Sequence, residues 1–517
     1  MNNCLVFLCL LLPGIALGRD YFTAAVLEHR PRTDNTSQES PIDIISSNLK
    51  IFEKAIPLAA KKGADIIVFN EYGLYQHVTN KDRLKEFAEN IPDPRKRKYN
   101  PCLDKEYHTF ILSSLSCYAR EYNIYIVANF GNIQTCSDTC DANRIDECTN
   151  CPKDGVRIYN TNVAFDREGS LVARYHKTHT YFEHVNAAEE MEFITFKTDF
   201  GTFGLQICFD AVFEESVLLA RDHGIDTLLF PTFWYDDILP FNAVEFQQAW
   251  ALANGVNFIA ANVHKPGTGS LGSGIYSKDT GALVYTYDPD GHSKLLMANI
   301  RINDKKDIPR LSSIATVTED GVFERQNEEG INFPEYCYYP KAGPFKNVYT
   351  DYRCYKSHIE RHSRIKLESP FGEIESCHQG FCCHLKYSAE SMNENFYLTS
   401  FSGANDVRNY FYFQEQTCLL IRCDPYEDKA CVIQPSSSTT VFRNVEMKAR
   451  FESQKIFATV SLNRFRLAPK QLWNYSTDDY ETTLTFKADS NEPLLKVGLF
   501  GRNYEKDPPY IPYKHYE

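Results

Sequence analysis

The chain has no surplus of positive charge and no long apolar run beyond its first residues. It also has no internal repeat, and its only low-complexity tract is the short Ser436-Ser437-Ser438-Thr439-Thr440. Each absence removes a class of function. Lysines and arginines number 55 against 68 aspartates and glutamates, and the net charge of −13 argues against nucleic acid or anionic membrane as a partner. Spanning a bilayer takes roughly 20 apolar residues, and no segment approaches that. The stretch Leu5 to Leu12, followed by Pro13-Gly14 and the small-residue end Ala16-Leu17-Gly18, makes residues 1–18 an expected signal peptide, although its first residues carry no Lys or Arg. The charged, proline-rich stretch from Arg502 to Glu517 lacks the hydrophobic tail of a lipid-anchor signal. The expectation is a secreted, extracellular protein with no membrane anchor, glycosylated at the sequons of Asn35 and Asn474. Its partner should be a small neutral or weakly charged molecule.

What is present is a long α/β pattern followed by something different. From Tyr21 to about Ile302, short apolar strands alternate with amphipathic helices. Thr23 to Leu27 and Ile66 to Phe69 are predicted strands. Between them, Ser40-Pro41 opens a helix with apolar Ile44, Ile45, Leu49, Phe52 and Ile56 that stops at Gly63. Beyond about residue 305, helical periodicity gives way to β alternation, as in Ile456 to Leu462, in a segment rich in cysteine, proline and aromatics. The prediction is an α/β domain over 19–305 and a smaller, mostly β, disulfide-rich domain over 306–517.

The cysteine count singles out one residue. Of 17 cysteines, Cys4 and Cys9 lie in the leader, which leaves an odd number for an oxidising compartment. Cys208 is the candidate for the unpaired thiol. It follows the predicted strand Phe203 to Ile207 and leads into a helix, a turn that exposes a side chain at the mouth of an α/β sheet. The alternative at this point is an inert core cysteine. Polar residues just beyond the other strands are Glu71, Lys177, Trp234 and Asn262. A thiol, a carboxylate and an ammonium at three strand ends make an acyl-transfer site: the thiol attacks, the carboxylate takes its proton, and the ammonium, with the backbone N–H of Phe209, supports the oxyanion. Moving the proton from an ordinary cysteine to an ordinary glutamate is uphill by about 4 pKa units, roughly 6 kcal/mol. Burial is expected to raise the glutamate, and the ammonium to lower the thiol, closing that gap.

The segments Phe69-Asn70-Glu71-Tyr72-Gly73, Arg174-Tyr175-His176-Lys177 and Ile207-Cys208-Phe209-Asp210 resemble the Glu–Lys–Cys motifs of the nitrilase (carbon–nitrogen hydrolase) superfamily. Phe230-Pro231-Thr232-Phe233-Trp234, Ala243 to Trp250, Val256 to His264 and Gly272-Ser273-Gly274 are similar to its vanin (pantetheinase) and biotinidase branch. The resemblance implies a nitrilase-like αββα sandwich, monomeric or homodimeric, and an amidohydrolase working through a cysteine thioester without cofactor or metal. It assigns Glu71 as general base and acid, Lys177 as oxyanion stabiliser and Cys208 as nucleophile. Its implied substrate is a linear amide, pantetheine or biotinyl-lysine, with pantetheine preferred. Residues 211–215, Ala-Val-Phe-Glu-Glu, depart from the branch pattern beside the expected pocket. Phe209, Trp234 and Tyr235 are the expected substrate contacts.

Other clusters have plainer readings. His176, His179 and His184 bracket Lys177 but lack the spacing of a zinc-protease helix. Cys136, Cys140, Cys148 and Cys151 fit two disulfides under a loop better than a zinc knuckle. The basic run Arg95 to Lys98 fits a solvated loop. Glu183 is either an auxiliary carboxylate near Lys177 or an exposed loop acid. Two other classes compete with the amidase: a papain-type Cys–His hydrolase, whose local cysteine signature is absent, and a binding protein on a decayed enzyme scaffold.

Overall fold

Strand β1 (Tyr21–Glu28) shows why the first domain has four layers. Ala24 and Val26 enter one core and Ala25 and Leu27 another, so both faces of the strand are buried. In the computed structural model, which describes residues 19–32, 39–76, 78, 80–104, 109–136, 151–188, 190–236, 238–302, 307–324, 358–426, 429–433 and 436–513, β1 is central to an eight-stranded sheet. Its neighbours are β2 (Ile66–Phe69), β3 (Tyr125–Thr135), β4 (Val156–Phe165) and β5 (Leu171–His176) on one side. A six-stranded sheet holds β6 (Thr195–Thr198), β7 (Gly201–Leu205), β8 (Thr227–Thr232), β9 (Asn257–Asn262), β10 (Ser273–Ser277) and β11 (Gly281–Thr286). On the other side of β1 the larger sheet continues through β12 (Ser293–Arg301), β13 (Ser312–Thr318) and β14 (Gly321–Glu324).

The two sheets pack face to face. Helices Pro41–Lys61 and Phe110–Tyr122 cover the outside of the first, and Glu214–Asp222 and Ala243–Asn254 that of the second. This is the αββα sandwich. The first helix begins at Pro41, whose missing N–H costs nothing at that position, and buries Ile44, Ile45, Leu49, Phe52 and Ile56. Two strands of the larger sheet, β13 and β14, lie beyond residue 306, so that sheet runs past the boundary expected from composition.

The C-terminal part is an antiparallel β sandwich. Its five-stranded sheet contains Phe371–His378 and Phe381–Ala389; its six-stranded sheet contains Phe396–Val407, Phe411–Arg422, Ile456–Leu462 and Leu494–Arg502. Cys383–Cys418 joins the two sheets, and Cys377–Cys382 closes a hairpin. Cys102–Cys117 and Cys136–Cys151 are bridged in the first domain, and Cys208 is the one free cysteine among the described residues. Cys140, Cys148, the leader and Asn35 lie outside the described residues. Asn474 is exposed on strand Trp473–Asp478.

The six-stranded sheet of the second domain is itself buried on both faces. Cys418 and Leu420 face its own sandwich, while Leu419 and Ile421 join the core of the first domain. A buried ion pair, Lys496 to Glu245 at 2.5 Å, spans the junction. Arg502, 1% exposed, donates to the carbonyl of Val212 at 3.2 and 3.3 Å.

Candidate active site

Cys208 opens a short 3₁₀ turn, Cys208–Val212, immediately after Gln206-Ile207. Its φ of +45° is in the left-handed region, a strained conformation that costs about 1–3 kcal/mol and persists only where surroundings enforce it. Asp210 does the enforcing. Its carboxylate accepts from the N–H of Ile207 (3.1 Å), the hydroxyl of Tyr175 (2.8 Å) and the N–H of His179 (2.8 Å). Arg502, on the carbonyl of Val212, holds the far end of the turn.

Glu71 lies two residues beyond β2 and Lys177 one beyond β5, both buried. The Lys177 ammonium donates to Glu71 Oε1 at 2.8 Å and also to Glu183 Oε1. Asn160 Nδ2, from β4, reaches both carboxylates at 2.7 Å. Glu71 Oε2 accepts the N–H of Phe233 at 2.6 Å, and Glu183 Oε2 the hydroxyl of Tyr72 at 2.7 Å. Glu183 is therefore the buried auxiliary carboxylate, not the exposed loop acid.

Three asparagines bind the loops together. Asn129 accepts the N–H of Tyr72 (2.9 Å) and donates to Asn160 and Asn162, and Asn162 donates to the carbonyl of Gln206 (2.9 Å), two residues before Cys208. Amides at these positions can donate and accept at once without adding charge to a buried site. Their signal in the sequence is polar residues inside the apolar strands β3 and β4.

Electrostatics depart from expectation in one respect. Burial pushes Glu71 up, with the like charge of Glu183 adding to it and Lys177 opposing. Burial works against the Lys177 ammonium, but Glu183 and Glu71 outweigh it and hold the amine well above its ordinary range. Burial also pushes the Cys208 thiol up; Glu71 adds to that, and the opposing pull of Lys177 is too small. The thiol does not descend to meet the carboxylate.

These groups form the floor of a cavity of about 190 Å³. Glu71, Lys177, Glu183 and Cys208 line it, with Tyr72, Tyr181, Phe182, Phe233, Tyr235 and Arg408. Tyr235 is thus on the wall, but Trp234 is not: its ring is buried and stacked on Phe246 at 4.7 Å, and its backbone N–H donates to Asn262 Oδ1. Alternation along the strand end puts Phe233 on the cavity in its place. The Phe209 ring likewise turns into the core, against Tyr181, Phe213 and Phe411. Asn262 positions the Trp234 backbone. His176 pairs with Asn132 (2.9 Å) and His179 sits on Asp210, so both are structural. Arg95 is tied to Asp93 in an exposed turn.

The second domain reaches this site twice. Its hairpin brings in Arg408, and the segment after Tyr504 straps the loop that carries Glu183. There the Tyr510 hydroxyl donates to the carbonyl of Thr180 (2.9 Å), and the Tyr410 hydroxyl to that of Pro512 (3.0 Å).

A four-layered sandwich with a buried glutamate, lysine and cysteine at its strand ends defines an enzyme that hydrolyses amide carbon–nitrogen bonds. The chain belongs to the carbon–nitrogen hydrolase family, whose model matches residues 41–299, and it carries a vanin C-terminal domain over residues 352–507. It is 33% identical to human pantetheinase over 95% of this chain and 90% of that protein. Biotinidase of Takifugu rubripes is 30% identical over 88% of this chain and 89% of its own. The solved amidase from Nesterenkonia sp. covers 55% of this chain and 92% of its own, at 18% identity and a TM-score of 0.35.

Proposed function

We propose that the protein is a secreted hydrolase that cleaves pantetheine to pantothenate and cysteamine through a thioester on Cys208. The observation that carries this reading is the convergence of Cys208, Glu71 and Lys177 on one buried cavity. Glu71 accepts the thiol proton as sulfur attacks the amide carbonyl, and the developing oxyanion is met by the Lys177 ammonium and the N–H of Phe209. Glu71 returns the proton to the departing amine, leaving a thioester. It then takes a proton from water, which attacks the thioester and releases the carboxylic acid and the thiol. The raised affinity of Glu71 for protons suits both directions of this transfer.

Pantetheine is favoured over biotinyl-lysine by the character of the walls. Above the charged floor the described lining is aromatic, with Arg408 as its one cation. A ureido ring needs acceptors for its two N–H groups; the carboxylates Glu71 and Glu183 are engaged by Lys177 and Asn160, which leaves the weaker phenol oxygens of the lining tyrosines for that task. The relatives named pantetheinase, at 32–33% identity, support the same choice. The test is to compare kcat/KM for pantetheine and biotinyl-lysine with one preparation. A tenfold or greater preference for biotinyl-lysine overturns the substrate, and loss of neither activity in Cys208→Ser overturns the nucleophile.

A further inference from the structure

The geometry points to Arg408 as a specificity-determining residue that hydrogen-bonds oxygen acceptors on the acyl arm of the substrate, so that the second domain supplies part of the substrate site. Arg408 is at the tip of a hairpin between strands Phe396–Val407 and Phe411–Arg422. The turn is tight: Arg408 and Asn409 are left-handed, with φ of +56° and +57°, and the N–H of Tyr410 returns to the carbonyl of Val407 at 3.2 Å. That turn carries the guanidinium onto the same cavity as Cys208 and Lys177.

Three rings hold it there. The guanidinium carbon is 5.2 Å from the centroid of Tyr235, 5.5 Å from Tyr181 and 5.9 Å from Phe182, each within the roughly 6 Å of a cation–π contact. The guanidinium is planar. Its donors lie in the plane, and a guanidinium offers N–H groups only, so what it recognises in a substrate is an acceptor. The residue is exposed at the rim, and Lys177, the cavity's other cation, lies at the floor between two carboxylates. The two cations therefore address different parts of one ligand.

This assignment rests on the pantetheine reading. The amine that leaves pantetheine is a two-carbon fragment, so the part long enough to extend from the floor to the rim is the acyl arm. That arm carries a second amide carbonyl and two hydroxyls, all acceptors.

The experiment measures kcat and KM for wild type, Arg408→Met and Arg408→Lys on pantetheine and on N-propionyl-cysteamine, which has the same leaving group and no oxygens beyond the scissile carbonyl. The expected result for Arg408→Met is a fall of about tenfold in the ratio of kcat/KM for pantetheine to that for the short amide, carried by KM. Arg408→Lys should fall in between, since it keeps charge and loses the planar fork. An unchanged ratio, or equal losses on both amides, overturns the role of Arg408 and leaves the pantetheine reading standing. Wild type that fails to hydrolyse pantetheine overturns that reading and this one with it.

Discussion

Replacing Glu183 by glutamine removes one charge from the floor of the cavity while keeping the side chain's size. Glu183 and Glu71 each accept from the single Nδ2 of Asn160 at 2.7 Å, so the oxygens involved lie within twice that distance. At an effective dielectric of about 20, two charges about 5.4 Å apart repel by about 3 kcal/mol. That repulsion is one of the causes holding Glu71 above its ordinary range, so its removal lets Glu71 stay ionised to lower pH. The sign follows directly: the acid limb of kcat/KM, where the base becomes protonated, should move down by about 1–2 pH units. The plateau should fall too, because a weaker base takes the thiol proton less readily. With about half of the 3 kcal/mol felt in the transition state, the loss is about tenfold. The assay is amide hydrolysis from pH 4 to 9 for wild type and Glu183→Gln. An acid limb that stays in place or moves up would refute this account of the site's field.

Three further outcomes are open to measurement. Cys208→Ala should abolish hydrolysis while shifting Tm by less than about 4 °C, since one buried sulfur is a small part of so large a core; alkylation in denaturant without reductant should label Cys208 in wild type, and two or more additional free thiols would contradict the disulfide accounting. Glu28 is fully buried between His264 (2.7 Å) and the N–H of Gly272 (3.0 Å), and burial pushes its carboxyl up to about 7. A carboxyl raised in the folded state contributes stability that is complete below about pH 4.5 and is lost as pH rises through about 7, here about 3 kcal/mol. Urea unfolding at pH 5 and pH 8 should show a smaller pH dependence in Glu28→Gln than in wild type; identical dependence would refute it.

The strand ends were legible because each is marked twice, by an apolar run and by the polar residue that stops it. Glu71, Lys177 and Cys208 could be placed on that basis, and the structure brings them onto one cavity. Trp234 could not be told from Phe233, because a one-residue difference at a strand end reverses which ring faces the cavity. Glu183 was ambiguous because it follows no strand; its burial comes from the path of the 178–183 loop under Tyr510, far away in sequence. Arg408 carries no motif at all. It is one of many basic residues until a hairpin of the second domain delivers it. The rise of the thiol was missed for a related reason. A neighbouring ammonium is visible in a motif, but the degree of burial that outweighs it is a property of the whole fold.

Arg502, Tyr510 and Pro512 also set an order of events in biosynthesis. Residues 21 to 301 leave the ribosome first and contain every ionisable group of the cavity floor. The carbonyl of Val212 and the loop holding Glu183 wait for partners translated some two hundred or more residues later. A nascent chain can thus have its hydrolase sheets in place and still lack the contacts that fix the elbow and the loop. The contacts that fix the elbow and the loop then form only once residues 502 to 512 have been made. A message truncated shortly before the codon for Arg502 would yield a product with both hydrolase sheets and without these supports at the elbow and the loop.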